Sequence, residues 1–197
     1  MPSFKLTPDT WRGYRLDGFP ADNWSVADGV LQANAHAQQI SLISRSRYTD
    51  FDLALEWCVA PAGNSGILYR VLETLAEPWQ SGPELQLLDD ARHPDARRPQ
   101  TACGALYDLL APAHGATMTA GVYHSARVVL RAENVEHWLD GECVLQYAFD
   151  SPAFRDAVAR SKFKALPGFA GARSGHIVLQ HHGDAVAFRN IEIRTWD

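Results

Sequence analysis

The sequence predicts an all-β protein: two antiparallel sheets packed as a β-sandwich or jelly roll, with one short helix near residues 151–163. Three observations predict it. First, about a dozen short runs alternate apolar and polar residues with the period of a half-buried strand. Second, turn dipeptides separate these runs, and Asp28-Gly29 and Asp140-Gly141 between apolar stretches are strong hairpin signals. Third, only the segment from Ser151 to Phe163 has good helical spacing. Many strands and one helix bury their apolar faces by stacking two sheets. The chain has 197 residues, 46% hydrophobic and 21% charged, which fits one domain spanning residues 1–197.

Taken in order, Trp11 to Tyr14 starts a short first element. Trp24 to Val26, the Asp28-Gly29 turn and Val30 to Ala33 form a hairpin. Ile40 to Arg45 is a further strand. Tyr48 to Trp57 is the clearest, with Phe51, Leu53, Leu55 and Trp57 on one face and Asp52, Ala54 and Glu56 on the other. A turn over residues 61–66 leads to Ile67 to Leu72, and Gly63 and Gly66 permit a tight turn or a close approach to a ligand. The strand 83–89 follows, with Leu85 and Leu87 pointing to the core and Glu84 and Gln86 to the other face. Residues 90–103 and 111–122 read as loops, and 105–110 as strand or turn. Ser125 to Arg131, Val135 to Leu139 and Cys143 to Phe149 form a meander. In the helix, Ser151 is the N-cap, Pro152 occupies the first helical position, and Phe154, Ala157 and Val158 share a face. His176 to His182 and Ala185 to Trp196 close the chain. The apolar parity of the last strand flips between Phe188 and Ile191, which predicts a bulge near Arg189-Asn190.

Composition excludes several functions. With 18 Lys and Arg against 23 Asp and Glu, the net charge of −5 favours neither nucleic acid nor an anionic membrane. No apolar run approaches the roughly 18 residues of a membrane span. The start has no hydrophobic signal region, so the expected location is cytoplasmic if the chain is complete and periplasmic or secreted if a signal has been removed. Cys58, Cys103 and Cys143 lie far apart and read as reduced, mostly buried thiols. Nothing in the pattern fixes an oligomeric state.

The candidate chemistry centres on residues 84–95. Glu84 and Gln86 side by side on one strand face suit the floor of a cleft. Asp89 falls on the opposite face of a regular strand and reaches theirs only through a bulge. A bulged Glu84/Asp89 pair would suit a retaining glycosidase, whose two carboxyl groups stand about 5 Å apart. His93 and Asp95 are rim residues or turn formers. His182 shares a face with Gln180 and is the better cleft candidate, whereas His181 and His137 read as packed rings. Arg70 and Lys162, judged singly, read as ordinary structural or surface cations. Asp90, Asp95 and Asp184 with nearby histidines leave a divalent metal possible, but no ligand spacing supports it and no cofactor is required. Six Trp, six Tyr and eight His suit sugar stacking and hydrogen bonding, although large aromatics are also plain core material; the expected partner on the concave sheet is a small carbohydrate.

Several motifs, in order along nearly the whole chain, resemble one family. They are Gly-Asn-Ser-Gly-Ile-Leu-Tyr-Arg at 63–70, Glu-Leu-Gln-Leu-Leu-Asp at 84–89 with His93-Pro94, and Gly-Ala-Leu-Tyr-Asp at 104–108. They continue with Val-Glu-His-Trp-Leu-Asp-Gly at 135–141, Ser-Lys-Phe at 161–163, residues 175–183 and Phe-Arg-Asn-Ile at 188–191. Together they are similar to the 3-keto-disaccharide hydrolase domain family, which implies a concanavalin A-like jelly roll. The family pattern more often has Asp where His181 stands and Asn where Asp140 stands. The resemblance implies cleavage of a glycoside whose sugar is oxidised at C3, by C2 deprotonation, elimination and hydration. On that reading Glu84 or His182 is the base and Arg70, Lys162 or a metal stabilises the enolate. Asn64, Gln86, Tyr107 and Gln180 hold sugar hydroxyls. Two other readings stand beside it. Jelly-roll glucanases place Glu-x-Asp-x-x-Glu on a cleft strand, and Glu84, Gln86 and Asp89 fall on the same offsets, but Gln86 is no carboxylate. A non-catalytic carbohydrate-binding module would account for the aromatics without an acid.

Overall fold

The computed structural model describes residues 3–5, 7–113 and 118–196, and part of the expected loop 111–122 lies outside them. Five strands open the chain: β1 (Ser3–Lys5), β2 (Trp11–Gly13), β3 (Trp24–Ala27), β4 (Val30–Ala33) and β5 (Leu42–Ser44). Next come β6 (Phe51–Val59), β7 (Asn64–Val71) and β8 (Glu84–Leu88). The meander is β9 (His124–Arg131), β10 (Asn134–Leu139) and β11 (Glu142–Ala148), followed by helix α1 (Pro152–Arg160) and then β12 (His176–Leu179) and β13 (Val186–Thr195). One antiparallel sheet runs β11-β10-β9-β6-β13-β4-β3, with β1 added on β13, and the other runs β2-β5-β12-β7-β8. The two sheets stack as the sequence predicts.

The core lies between them. β6 buries Phe51, Leu53, Leu55, Trp57 and Val59 while Asp52 and Glu56 point out and pair with Arg127 and Arg189. From the smaller sheet Ile67, Tyr69, Leu85, Leu87, Ile177 and Leu179 meet that face with no exposed surface. His137 is a core residue, as expected. It is fully buried, its Nδ1 donates to the Gly104 carbonyl oxygen, and its Nε2 lies 2.8 Å from the Tyr69 hydroxyl, which is 2.7 Å from that of Tyr147. Burial holds its pKa down at about 4, so the imidazole is neutral.

Both expected hairpins turn on a pair of left-handed residues: Asp28 and Gly29 at φ 50 and 78, Asp140 and Gly141 at φ 46 and 84. The parity flip in β13 is a register break between Arg189 and Glu192, with Asn190 at φ 52. Residues 105–110 are a turn rather than a strand. Ala105 accepts from the Gln86 N–H, and the Gly104 and Tyr107 N–H groups donate to the Gln86 and Glu84 carbonyls, so this turn covers the outer edge of β8. The expected helix over 151–163 stops at Arg160. The Ser161 hydroxyl accepts from the Phe163 N–H and starts a separate 3₁₀ turn, Lys162–Ala165. Among the described residues no helix is long and apolar enough to cross a membrane.

Candidate functional site

The outer face of the smaller sheet carries a recess of about 200 Å³. Its floor follows from strand register. β7 and β8 pair regularly, Gly66 opposite Gln86 and Leu68 opposite Glu84, so Asn64, Gly66 and Leu68 share a face with Glu84 and Gln86. Leu85 and Leu87 point into the core, as expected, and the polar pair faces the recess. Gln180 lies beside Gly66, donating its backbone N–H to the Gly66 carbonyl. The walls are loops that supply Gln39, Ser41, Trp79, Tyr107, Lys162, His181 and His182.

Glu84 stands at the bottom, 6% exposed. A Cβ on residue 66 would fall 2.0 Å from its Oε1, so the carboxyl occupies the space that glycine leaves open. Burial pushes this carboxyl up to about 8; the Lys162 ammonium and a Gln180 hydrogen bond act against the rise, and the Asp95 charge adds to it. At neutral pH the group is mainly protonated and can donate. Around it are two buried amide oxygens, Asn64 Oδ1 and Gln180 Oε1, with no hydrogen-bond partner among the described residues. Buried acceptors left unpaired cost stability and are suited to hydroxyl donors from a ligand. Gln86 is also buried, and its Nε2 donates to the Thr101 carbonyl at 3.2 Å.

Lys162 reaches the recess because the 3₁₀ turn at Ser161 redirects the chain. Its Nζ lies 4.6 Å from the centre of the Tyr107 ring and 5.0 Å from that of Trp79. Chiefly through burial, the Tyr107 hydroxyl is pushed up to about 12, so it stays protonated. His181 and His182 lie just past the end of β12. His181 is buried as a packed ring: its Nδ1 accepts from the Gly183 N–H and its Nε2 donates to the Asn34 carbonyl. His182 stands at the mouth, open to solvent on one side. Desolvation by the wall lowers its pKa, with His93 acting the same way and Asp184 and Asp95 against it, so the ring is the free base at neutral pH.

The structure thus gathers Glu84, His182, Asn64, Gln86, Tyr107, Lys162 and Gln180 around one recess. It leaves three expected residues off that lining. Asp89 lies past the end of β8, no bulge brings it round, and its carboxylate accepts from the Ala62 and Ala91 N–H groups. It pins two turns and is no partner to Glu84. Arg70 is also elsewhere. Its backbone is left-handed at φ 54, and its buried guanidinium donates to the Ala132 carbonyl and lies 4.0 Å from the centre of the Phe149 ring. His93 stands outside the mouth, 6.4 Å from the His182 ring centre, its Nδ1 accepting from the Asp95 N–H. Among the described residues no group of three or more His, Cys, Asp or Glu is placed to hold a metal ion. Sequence reasoning missed Trp79, Glu77, Gln39 and Ser41. A tryptophan in the polar loop Glu77-Pro78-Trp79-Gln80 was a usable signal, because no strand or helix period in that loop assigns it to a core face.

Comparison with known proteins bears on this geometry. The family model for a 3-keto-alpha-glucoside-1,2-lyase-like domain matches residues 5–194. A 3-keto-disaccharide hydrolase of Bacteroides thetaiotaomicron is 31% identical, covering 95% of this chain and 74% of that protein. A solved structure from Parabacteroides distasonis, described as a candidate glycosyl hydrolase, superposes with a TM-score of 0.87 at 27% identity, covering 96% of this chain and 89% of that one. The laminarinase of Rhodothermus marinus, at 10% identity and TM-score 0.56 over all of this chain and 94% of its own, shares the fold.

Proposed function

The chain belongs to the 3-keto-alpha-glucoside-1,2-lyase-like domain family, and from that premise we propose that it cleaves the glycosidic bond of a 3-keto-glycoside by elimination and hydration. The single observation that carries this reading is the buried, proton-holding Glu84 carboxyl at the floor of a recess whose amide acceptors are unpaired.

The chemistry follows from the oxidised sugar. A C3 ketone makes the C2 hydrogen acidic. A base takes that proton, and the electrons pass to the C3 oxygen. The resulting enolate collapses and expels the C1 oxygen substituent, leaving a C1–C2 double bond conjugated to the ketone. Water adds to C1, a proton returns to C2, and the sum is hydrolysis. Glu84 and His182 divide the work by environment. The protonated Glu84 donates to the ketone oxygen and strengthens that bond as charge develops there. The Lys162 ammonium, held against Tyr107 and Trp79, adds positive charge on the same side. His182 at the mouth is unprotonated and acts as the base, then returns the proton to the leaving oxygen. Asn64 and Gln180 accept from sugar hydroxyls. The glucanase mechanism fits less well, because Gln86 is an amide engaged with Thr101 and Asp89 is committed to its turns.

The test is incubation with a 3-keto-disaccharide and with its unoxidised parent, reading released monosaccharide. Release from the oxidised sugar alone is the expected result. Release from the parent at a similar rate favours the glucanase reading, and saturable binding without turnover favours the binding module.

A further inference from the structure

The outer face of the smaller sheet is divided into two halves. Toward one end it is polar, with Asn64, Gly66, Gln86 and Gln180. At the rung of Glu84 it becomes apolar, since that rung continues through Leu68 and Val178 to Ile43, and Val71 lies beyond it. Ile43 on β5, Val178 on β12, and Leu68 and Val71 on β7 have no exposed surface there. Leu68 shares the parity of Asn64 and Gly66, and Val71 joins it on this face because the left-handed Arg70 breaks the alternation between them; together these side chains would extend the recess if nothing lay on top. Tyr14 and Trp79 lie on top.

That cover is braced. Arg12 makes a two-pronged ion pair with Glu73, both contacts at 2.6 Å. The Tyr14 hydroxyl donates to the Leu75 carbonyl at 2.9 Å. The Ser81 hydroxyl accepts from the Leu72 N–H and donates to its carbonyl. Trp79 itself rides on a short 3₁₀ turn, Pro78–Gln80, whose Gln80 side chain accepts from the Glu77 N–H. Residues 12–14 are therefore joined by polar contacts to residues 73–75, the loop over 72–81 is closed on itself by Ser81, and Tyr14 and Trp79 pack on the apolar residues beneath. The recess that remains, about 200 Å³, is below the roughly 300–1,000 Å³ of pockets that enclose drug-sized ligands. The exposed members of its lining, Gln39, Glu77, Lys162 and His182, border its mouth.

We propose that Trp79 is a specificity-determining residue: with Tyr14 it blocks the far end of the sheet, so that the site accepts one terminal sugar ring and leaves the aglycone outside the mouth. This deepens the reading as a 3-keto-glycosidase and rests on it for the chemistry, although the one-ring limit is a statement about binding. A ring inside a chain carries a substituent on both sides. One substituent leaves by the mouth, and the other runs into the indole. A terminal ring has no second substituent, and its aglycone contacts only the solvent-facing rim.

The experiment compares 3-keto-glucosides with methyl, glucosyl and maltosyl aglycones against a 3-keto ring substituted on both sides. For the wild type, kcat/KM is expected to vary less than about tenfold across the aglycones and to fall at least 100-fold for the doubly substituted ring. In Trp79→Ala that gap is expected to shrink to less than tenfold. Cleavage of the doubly substituted ring by the wild type within fivefold of the terminal ones overturns the proposal, as does an unchanged gap in a folded Trp79→Ala protein. If that variant does not fold, the wild-type ratio alone decides. If no keto-glycoside is turned over, the enzymatic reading fails, and calorimetry with the same compounds decides the structural one. Binding of terminal rings alone supports it; equal binding of both kinds, or binding of neither, overturns it.

Discussion

Glu84 is the residue through which the proposed chemistry is most directly refuted, because its proton has consequences for both stability and rate. The carboxyl has a value of 4.5 in the unfolded chain and about 8 in the folded one, raised by burial. Between those two values the folded protein holds a proton that the unfolded chain has released. Stability therefore falls as pH rises through this window, and the loss is complete above the folded value. At about 1.4 kcal/mol per pKa unit the loss reaches at most about 5 kcal/mol. Glu84→Gln carries no such proton. Urea unfolding of both proteins from pH 4 to pH 9 should show the variant gaining on the wild type by up to about 5 kcal/mol across that range. Catalysis gives the second reading. If the protonated carboxyl donates to the ketone oxygen, kcat/KM of the wild type falls above about pH 8. In Glu84→Gln, which keeps an N–H donor, that limb disappears. Glu84→Ala loses the donor, and one such donor is worth about 10²–10³ in kcat. Parallel stability profiles would refute the buried proton. A rate that rises toward pH 8 would make Glu84 the base and reverse the division of roles with His182.

Four further outcomes follow from the same geometry. Gly66→Ala puts a Cβ where the Glu84 carboxyl lies, and should lower kcat/KM about 100-fold with the far-ultraviolet circular dichroism unchanged, since a misplaced catalytic group is enough for such a loss. Asn64→Ala removes an acceptor with no partner among the described residues, so KM should rise about 3- to 10-fold while the urea midpoint holds. Asp89→Ala frees the Ala62 and Ala91 N–H groups. It should cost about 1–3 kcal/mol of stability in urea unfolding and leave kcat within about threefold, whereas a catalytic role would remove activity at constant stability. Arg70→Met, outside the recess lining, should likewise leave kcat/KM within about threefold when assayed below its unfolding midpoint.

What was legible in the sequence and what was not separate along a physical line. A strand has period 2, so the residues of one β8 face could be named from spacing alone, and Glu84 and Gln86 do face the recess. The same rule put Asp89 on the other face unless a bulge intervened, and the regular β7–β8 register shows none. Parity stops carrying information where the strand stops. β12 ends at Leu179, so the expectation that His182 and not His181 would face the site rested on a period that no longer applied, and both rings reach the lining. Arg70 illustrates the same limit inside a strand. Its left-handed backbone at φ 54 breaks the alternation, and nothing local in Tyr69-Arg70-Val71 announces a conformation normally left to glycine. The walls were less legible still. Trp79 and Tyr107 come from connections whose positions depend on contacts far along the chain, such as Arg12 with Glu73 and the Gly104–Tyr107 turn against β8. Those contacts convert an open sheet face into a closed-ended recess, and that closure sets the environment of Glu84. A glutamate on an open strand face would be solvated and ionised at neutral pH. The same glutamate buried under Tyr107 and Trp79, with Gly66 making room beside it, holds its proton against the pull of the Lys162 ammonium. Strand spacing supplies the carboxyl, and the loops supply its chemistry.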